Sequence, residues 1–271
     1  MPLAYYSTAA SSDFWAEHWG RHSPESLARS AEVSPLTRLI WRHLPEPGAR
    51  VLEAGCGLGQ YVVLLREAGY RAIGADWTPE PLRVCRSWRP GTPLTVTDLR
   101  RLAFGAETFA AYVSLGVVEH DPDGPDAILG EVHRVLAPRG VLILSVPFVN
   151  AARRCATWWV RRRNARLRAA GAEFYQHVYS RPEARAFIER NGFEVVSATP
   201  YDPARLLRGW ARRVRNTLRR GGPARDASAA SSSAERRVGD GTVGRLVKRA
   251  LYTRAGLHAL GHMILFVAVK R

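Results

Sequence analysis

The sequence predicts an α/β protein built on a doubly wound, mostly parallel sheet. Three observations predict it. Glycines at alternate positions (Gly55, Gly57, Gly59) separate a short apolar run from a stretch that is apolar at helical spacing, which marks a tight strand-to-helix turn. Beyond that turn, strand-like apolar runs alternate with helical stretches up to about residue 199. A hydrophobic content of 46% over 271 residues is enough to fill the core of such a sheet.

Residues 1–49 read as a helical preface. Asp13 to Trp19 is rich in aromatic residues, and a second helix is expected from Ser34, an N-cap followed by Pro35, to His43. Two readings of Trp15 and Trp19 stand: packing that glues a lid to the core, or closure over a bound substrate.

The first strand of the sheet, Arg50-Val-Leu-Glu-Ala, delivers the acid Glu53 and then the three glycines; a helix follows from Tyr61 to a stop at Gly69. Absence of Cβ lets a ligand approach the main chain, and the helix N-terminus offers free N–H groups. A dinucleotide turn needs Gly-x-Gly-x-x-Gly, and the position for its third glycine is Gln60. The pattern Glu53-x-Gly55-x-Gly57-x-Gly59 instead resembles the cofactor loop of the class I S-adenosylmethionine-dependent methyltransferases. The resemblance implies that Glu53 and the glycines face the methionine part of that cofactor.

Arg71 to Asp76 is the second strand, ending in an acid 17 positions past Gly59. A carboxylate there can accept from both ribose hydroxyls, and Trp77 beside it can lie against adenine. A helix-capping Asp is the other reading, since Pro79 opens a helix running to Trp88. Pro93 to Val96 is a third strand, and in the turn after it the resemblance assigns Asp98 to the adenine amino group, with Leu99 adjoining. Phe109 to Leu115 is apolar throughout, as a strand buried on both faces should be. It leads to Leu115-Gly-Val-Val-Glu119-His120, then a helix over 125–136 and a fifth strand over 141–146. Glu119-His120 through Val146-Pro147-Phe148 resembles the segment after the fourth strand in small-molecule methyltransferases, the second stretch that carries the likeness. The acids and the Leu115 turn all follow strand ends, so they should converge on one cleft. His120 stands where an acceptor would meet the methyl group. It is read either as a general base or as structural.

Residues 149–180 form an insertion, and Arg153 to Arg168 holds seven arginines and no acid. In the family this region roofs the substrate pocket, which nominates Tyr175, His177 and Tyr179 as acceptor-facing. A capped helix over 182–190 and a strand from Gly192 follow. Pro203 to Arg220 is an amphipathic basic helix by its pattern, and 221–241 reads as a linker. The family's last strand is antiparallel and lies between the fifth and sixth. Met263 to Val269 suits it, for a seven-stranded mixed sheet. The expected division is thus 1–49 lid, 50–199 methyltransferase core, 200–260 basic insertion and 261–271 final strand.

Charge separates the halves. Residues 1–150 carry 14 Lys/Arg against 16 Asp/Glu, and residues 151–271 carry 26 against 8. Three readings of the basic insertion stand: contact with an anionic membrane through 203–220, binding of a polyanion, or a solvated face. No nucleic-acid module is recognisable. No segment has the length of a membrane span and no signal peptide is evident, so a cytoplasmic enzyme, peripheral at the inner membrane face, is expected. The three cysteines lack metal-ligand spacing, and no metal is expected. The reading is a methyltransferase that uses S-adenosyl-L-methionine on an O or N atom of a small-molecule or lipid/glycan-linked acceptor. A nicotinamide oxidoreductase and a non-catalytic binding protein on the same scaffold are the alternatives.

Overall fold

The computed structural model describes residues 2–7, 12–203 and 249–271. The order is β1 (Leu3–Ser7), α1 (Ser12–Gly20), α2 (Pro24–Glu32), α3 (Pro35–Trp41), β2 (Arg50–Ala54), α4 (Gln60–Glu67), β3 (Arg71–Asp76), α5 (Pro79–Trp88) and β4 (Leu94–Val96). Then come β5 (Phe109–Leu115), a 3-10 turn (Val118–His120), α6 (Asp126–Val135) and β6 (Leu136–Pro147). The chain continues through α7 (Ala151–Cys155), α8 (Thr157–Ala169), β7 (Glu173–Val178), α9 (Arg181–Arg190), β8 (Phe193–Tyr201), α10 (Arg254–Leu260) and β9 (Met263–Lys270).

The main sheet has seven strands in the order β4-β3-β2-β5-β6-β9-β8. Strands β4 to β6 pair in parallel, and β9 runs antiparallel to both β6 and β8, as expected for the last strand. Alternation along β5 and β6 supplies two cores. Tyr112, Leu142 and Leu144 pack toward α6 and α9, whereas Val113 and Ile143 pack toward α4 and α5. Burial on both faces explains why these strands carry no polar alternation. Strand order reverses between β2 and β5, so the crevice of the sheet opens at their carboxyl ends.

Two expectations need correction. Residues 1–49 are not helical throughout: Leu3–Ser7 is a strand, paired antiparallel with β7. The insertion before α9 likewise contains β7 as well as helices. Each strand is an edge that needs the other, and the partners lie about 170 residues apart in sequence. Asn164 of α8 donates to the Ala4 carbonyl and Arg168 lies over the Tyr6 ring, so α8 fixes this small sheet in place. The basic helix expected over 203–220 and the linker over 221–241 fall outside the described residues beyond Pro203. Among the described residues no helix is long and apolar enough to cross a membrane.

Candidate active site

The glycine loop is held by main-chain geometry. Gly55, Gly57 and Gly59 all have positive φ (72°, 51° and 70°), a region that L side chains rarely adopt. Space forbids side chains too. A Cβ on Gly57 would lie 2.4 Å from the Trp19 ring, and one on Gly55 would lie 2.3 Å from Val117. The loop is tied to β3 by Gly55 and Cys56 N–H groups donating to the Ala75 carbonyl at 2.7 and 3.1 Å.

Asp76 completes that tie. One carboxylate oxygen accepts from Gly57 N–H and the other from Thr78 N–H, both at 2.9 Å. Each oxygen keeps a lone pair for a further donor. Burial pushes this carboxyl up from its ordinary value, and the Thr78 and Gly57 hydrogen bonds oppose the shift. Glu53 is more extreme. It is buried, and Oε2 has no partner among the described residues. Burial pushes it up to about 8; a Val62 N–H bond opposes the rise and the neighbouring Asp76 charge adds to it.

Trp77 is 48% exposed beside Asp76, an aromatic face left open where Leu99 is buried. Asp98 lies in the turn after β4, but Arg100 occupies it. The guanidinium bonds both carboxylate oxygens and the Arg100 N–H closes an Asx turn. That pairing holds Asp98 below its ordinary value.

Leu115 ends β5, and Gly116 (φ 76°) turns the chain into the 3-10 segment that presents His120. His120 Nδ1 lies 2.7 Å from the Tyr175 carbonyl. A carbonyl cannot donate, so the proton sits on Nδ1 and the Nε2 lone pair is available. A bulge in the β1–β7 pairing explains this contact. Tyr5 pairs with Gln176 and Tyr6 with Phe174, which leaves Tyr175 out of the ladder and its carbonyl free for His120. Burial lowers the His120 pKa; the Tyr175 bond opposes this and His18 adds to it. Trp15 meets the imidazole edge-on at 4.8 Å, and Tyr175 stands 5.1 Å away with Phe14 against it. Helix α1 therefore lies across the cleft as a lid, with Trp19 on the glycine loop and Trp15 on His120.

The structure brings together Glu53, the three glycines, Asp76, Trp77, Leu115, His120 and Tyr175. It places His177 and Tyr179 elsewhere. They line a cavity of about 370 Å³ between residues 122–126 and α9, with Tyr179 buried against Phe187. Sequence reasoning missed Glu119, which is buried behind Gly116 with Oε2 unpartnered and is pushed up to about 8 by burial. No pattern marks it, because an acid beside a histidine in a turn reads as exposed.

These residues fit S-adenosylmethionine on three counts. The glycines hold a main-chain surface that any Cβ would fill. Glu53 leaves a buried carboxyl oxygen without a partner, and Asp76 has spare acceptor capacity at the end of the second parallel strand. Among the described residues no cluster of His, Cys, Asp and Glu could hold a metal ion.

Comparison with known proteins agrees with that geometry. A family model described as a methyltransferase domain matches residues 27–198. A ubiquinone biosynthesis O-methyltransferase of Xanthomonas axonopodis pv. citri is 30% identical over 189 residues, covering 65% of this chain and 74% of that protein. Its counterpart in Cereibacter sphaeroides is 29% identical over 149 residues, 51% of this chain and 60% of that one. The chain spans 45–60% of the length of several such curated relatives. Among solved structures, an S-adenosylmethionine-dependent methyltransferase from Mesorhizobium loti superposes with a TM-score of 0.55 at 16% identity, covering 89% of this chain and all of that one.

Proposed function

The chain belongs to the class I S-adenosylmethionine-dependent methyltransferases, and from that premise we propose that it methylates a hydroxyl oxygen of a small acceptor, with His120 taking the proton. The bound cofactor supplies an electrophilic methyl group on a sulfonium. Glu53, Gly55, Gly57, Gly59 and Asp76 would hold it, with Trp77 and Leu99 beside the adenine and Leu115 below.

The observation that supports the oxygen assignment is the Nδ1 bond of His120 to the Tyr175 carbonyl. A hydroxyl is a weak nucleophile until its proton is removed, and the pinned tautomer leaves Nε2 as acceptor for that proton. The depressed pKa keeps the ring neutral, and so competent as a base, at neutral pH. An amine acceptor that is already deprotonated gains less from such a group. Trp15 and Trp19 contribute by excluding water and by fixing the acceptor against the cleft, where orientation lowers the barrier. The relatives' names point the same way, since both quoted relatives are O-methyltransferases.

Formation of S-adenosylhomocysteine is measured with a panel of phenols, carboxylic acids and amines. Methylation of a phenol, with a His120→Ala loss in kcat of about 10²–10⁴-fold, is expected. Turnover confined to amines would overturn the oxygen assignment, and an unchanged kcat in the variant would remove His120 from the chemistry.

A further inference from the structure

Two strands over from β2, the chain leaving β6 floors a second cavity of about 580 Å³ with Phe148 and Val149. Buried Leu3 of β1 adds to that apolar floor, and α7, α8, α10 and the start of α9 form the walls. Three guanidinium-bearing residues line it: Arg154 on α7, Arg161 on α8 and Arg181 at the first position of α9. All three are exposed, and none has a hydrogen bond or ion pair with another described residue. Elsewhere on the surface arginine is neutralised, as in Arg83–Glu80, Arg100–Asp98, Arg134–Glu131 and Arg190–Asp126. Glu183 is the one carboxylate among the described lining residues. It is turned onto the α9 cap, where Ser180 donates from N–H at 2.9 Å and from its hydroxyl at 2.7 Å.

Three like charges gathered in a concave wall repel one another and contribute nothing to the fold. Together they focus a positive field into the cavity. We propose that this cavity is a subsite for a phosphate group carried by the acceptor. The proposal rests on the methyltransferase reading, and it names one part of the molecule that is methylated. Three cations against one carboxylate match a phosphate dianion, whereas a carboxylate ligand would leave excess charge. Guanidinium forks bond phosphate oxygens in pairs, and the apolar floor suits the carbon framework next to the ester. The carboxyl ends of β2 and β6 are two strand spacings apart, roughly 10 Å. An acceptor of that reach would place its phosphate here and its hydroxyl beside His120.

The test is calorimetric titration of the full chain with sodium pyrophosphate at low salt, with S-adenosylhomocysteine titrated in parallel. The variants are Arg154→Ala/Arg161→Ala, Arg181→Gln and, as an exposed arginine outside the cavity, Arg42→Ala. Each charge-assisted contact is worth about 1.5–3 kcal/mol. The double variant should therefore weaken pyrophosphate by more than about tenfold, with Arg42→Ala and all S-adenosylhomocysteine affinities unchanged. Competition with geranyl diphosphate and with ribose 5-phosphate then separates a lipid-linked source from a soluble one, by which of them displaces pyrophosphate more tightly. If S-adenosylhomocysteine binds and pyrophosphate does not, the subsite is refuted and the methyltransferase reading stands. An equal loss in Arg42→Ala would reduce the effect to diffuse surface charge and also refute it. Pyrophosphate binding without any S-adenosylhomocysteine binding would sink the premise instead, and with it the acceptor role.

Discussion

The two walls of the cleft are built by different means. The cofactor wall, from β2 to β5, is held by the main chain: left-handed glycines, N–H groups on the Ala75 carbonyl, and a carboxylate clasp from Asp76. The roof, from β1, α1, α7, α8 and β7, is held by ring contacts, one bulged carbonyl and arginine-rich helices. Main-chain restraints are local and tolerate almost no change. Side-chain restraints come from distant segments and tolerate replacement at graded cost. Substitutions should therefore act almost all-or-none on the first wall and by degrees on the second.

The largest effect is expected at Gly57. Alanine there adopts a left-handed backbone at about 1–2 kcal/mol, and its Cβ also collides with the Trp19 ring. Gly57→Ala should abolish measurable S-adenosylhomocysteine binding by calorimetry and lower the melting temperature. Adding Trp19→Ala removes the collision and leaves the backbone strain, so the double variant should recover part of the stability. No recovery would mean that α1 does not rest on the loop.

Second in size is the effect of the buried acid. The folded-state pKa of Glu53 is about 8, above the ordinary 4.5. Its contribution to stability is therefore complete below about pH 4.5 and is lost as pH rises through 8. Glu53→Gln keeps the shape and cannot ionise. Between pH 5.5 and 8.5, buffer choices rather than properties of the chain, its melting temperature should fall less than that of the wild type. Equal slopes would show that Glu53 is ionised in the folded protein. Glu119 carries the same kind of shift and leaves a residual slope in the variant.

On the roof, Trp15→Ala should give a smaller and graded change. An edge-on aromatic contact is worth about 0.5–1.5 kcal/mol, so the acceptor KM should rise several-fold with the fold intact. Loss of the indole also rehydrates His120. Since burial is what depresses this imidazole, its pKa should climb back toward 6.5. The acid limb of the kcat/KM profile then moves to higher pH, which a purely structural lid contact would not cause.

The same contrast decides what could be read from the chain before folding. The glycine loop, Asp76 at the end of its strand, the both-face-buried β5 and the placement of β9 were legible, because each rests on a local rule of backbone or periodicity. The pair β1–β7 was not, since neither strand signals a partner about 170 residues away. Tyr175 was separated from His177 and Tyr179 by a bulge that alternation along β7 cannot reveal. The Arg100 clasp on Asp98 was equally hidden, because a turn aspartate offers its carboxylate to whichever donor lies nearest. Trp15 and Trp19 were visible as aromatic residues, but their contacts with His120 and Gly57 are tertiary facts.

The smallest effect is expected where the two regions are stitched at the surface. Asp126, in the first turn of α6, accepts from the Arg190 guanidinium at 2.8 and 2.5 Å and from Asn191 at 2.6 Å, which links α6 to the end of α9. The geometry is bidentate, yet both side chains are about half exposed, and water screens the attraction. A double-mutant cycle with Asp126→Asn and Arg190→Gln should return a coupling of about 0.2–1 kcal/mol that shrinks with added salt. Arg190 holds the Asp126 carboxyl below its ordinary value, so the coupling is present above about pH 4 and fades as pH falls through the lowered pKa. A coupling of several kcal/mol would mean that α9 is fastened to the core as firmly as the glycine loop is fastened to β3, and the distinction between the two walls would fail at this seam.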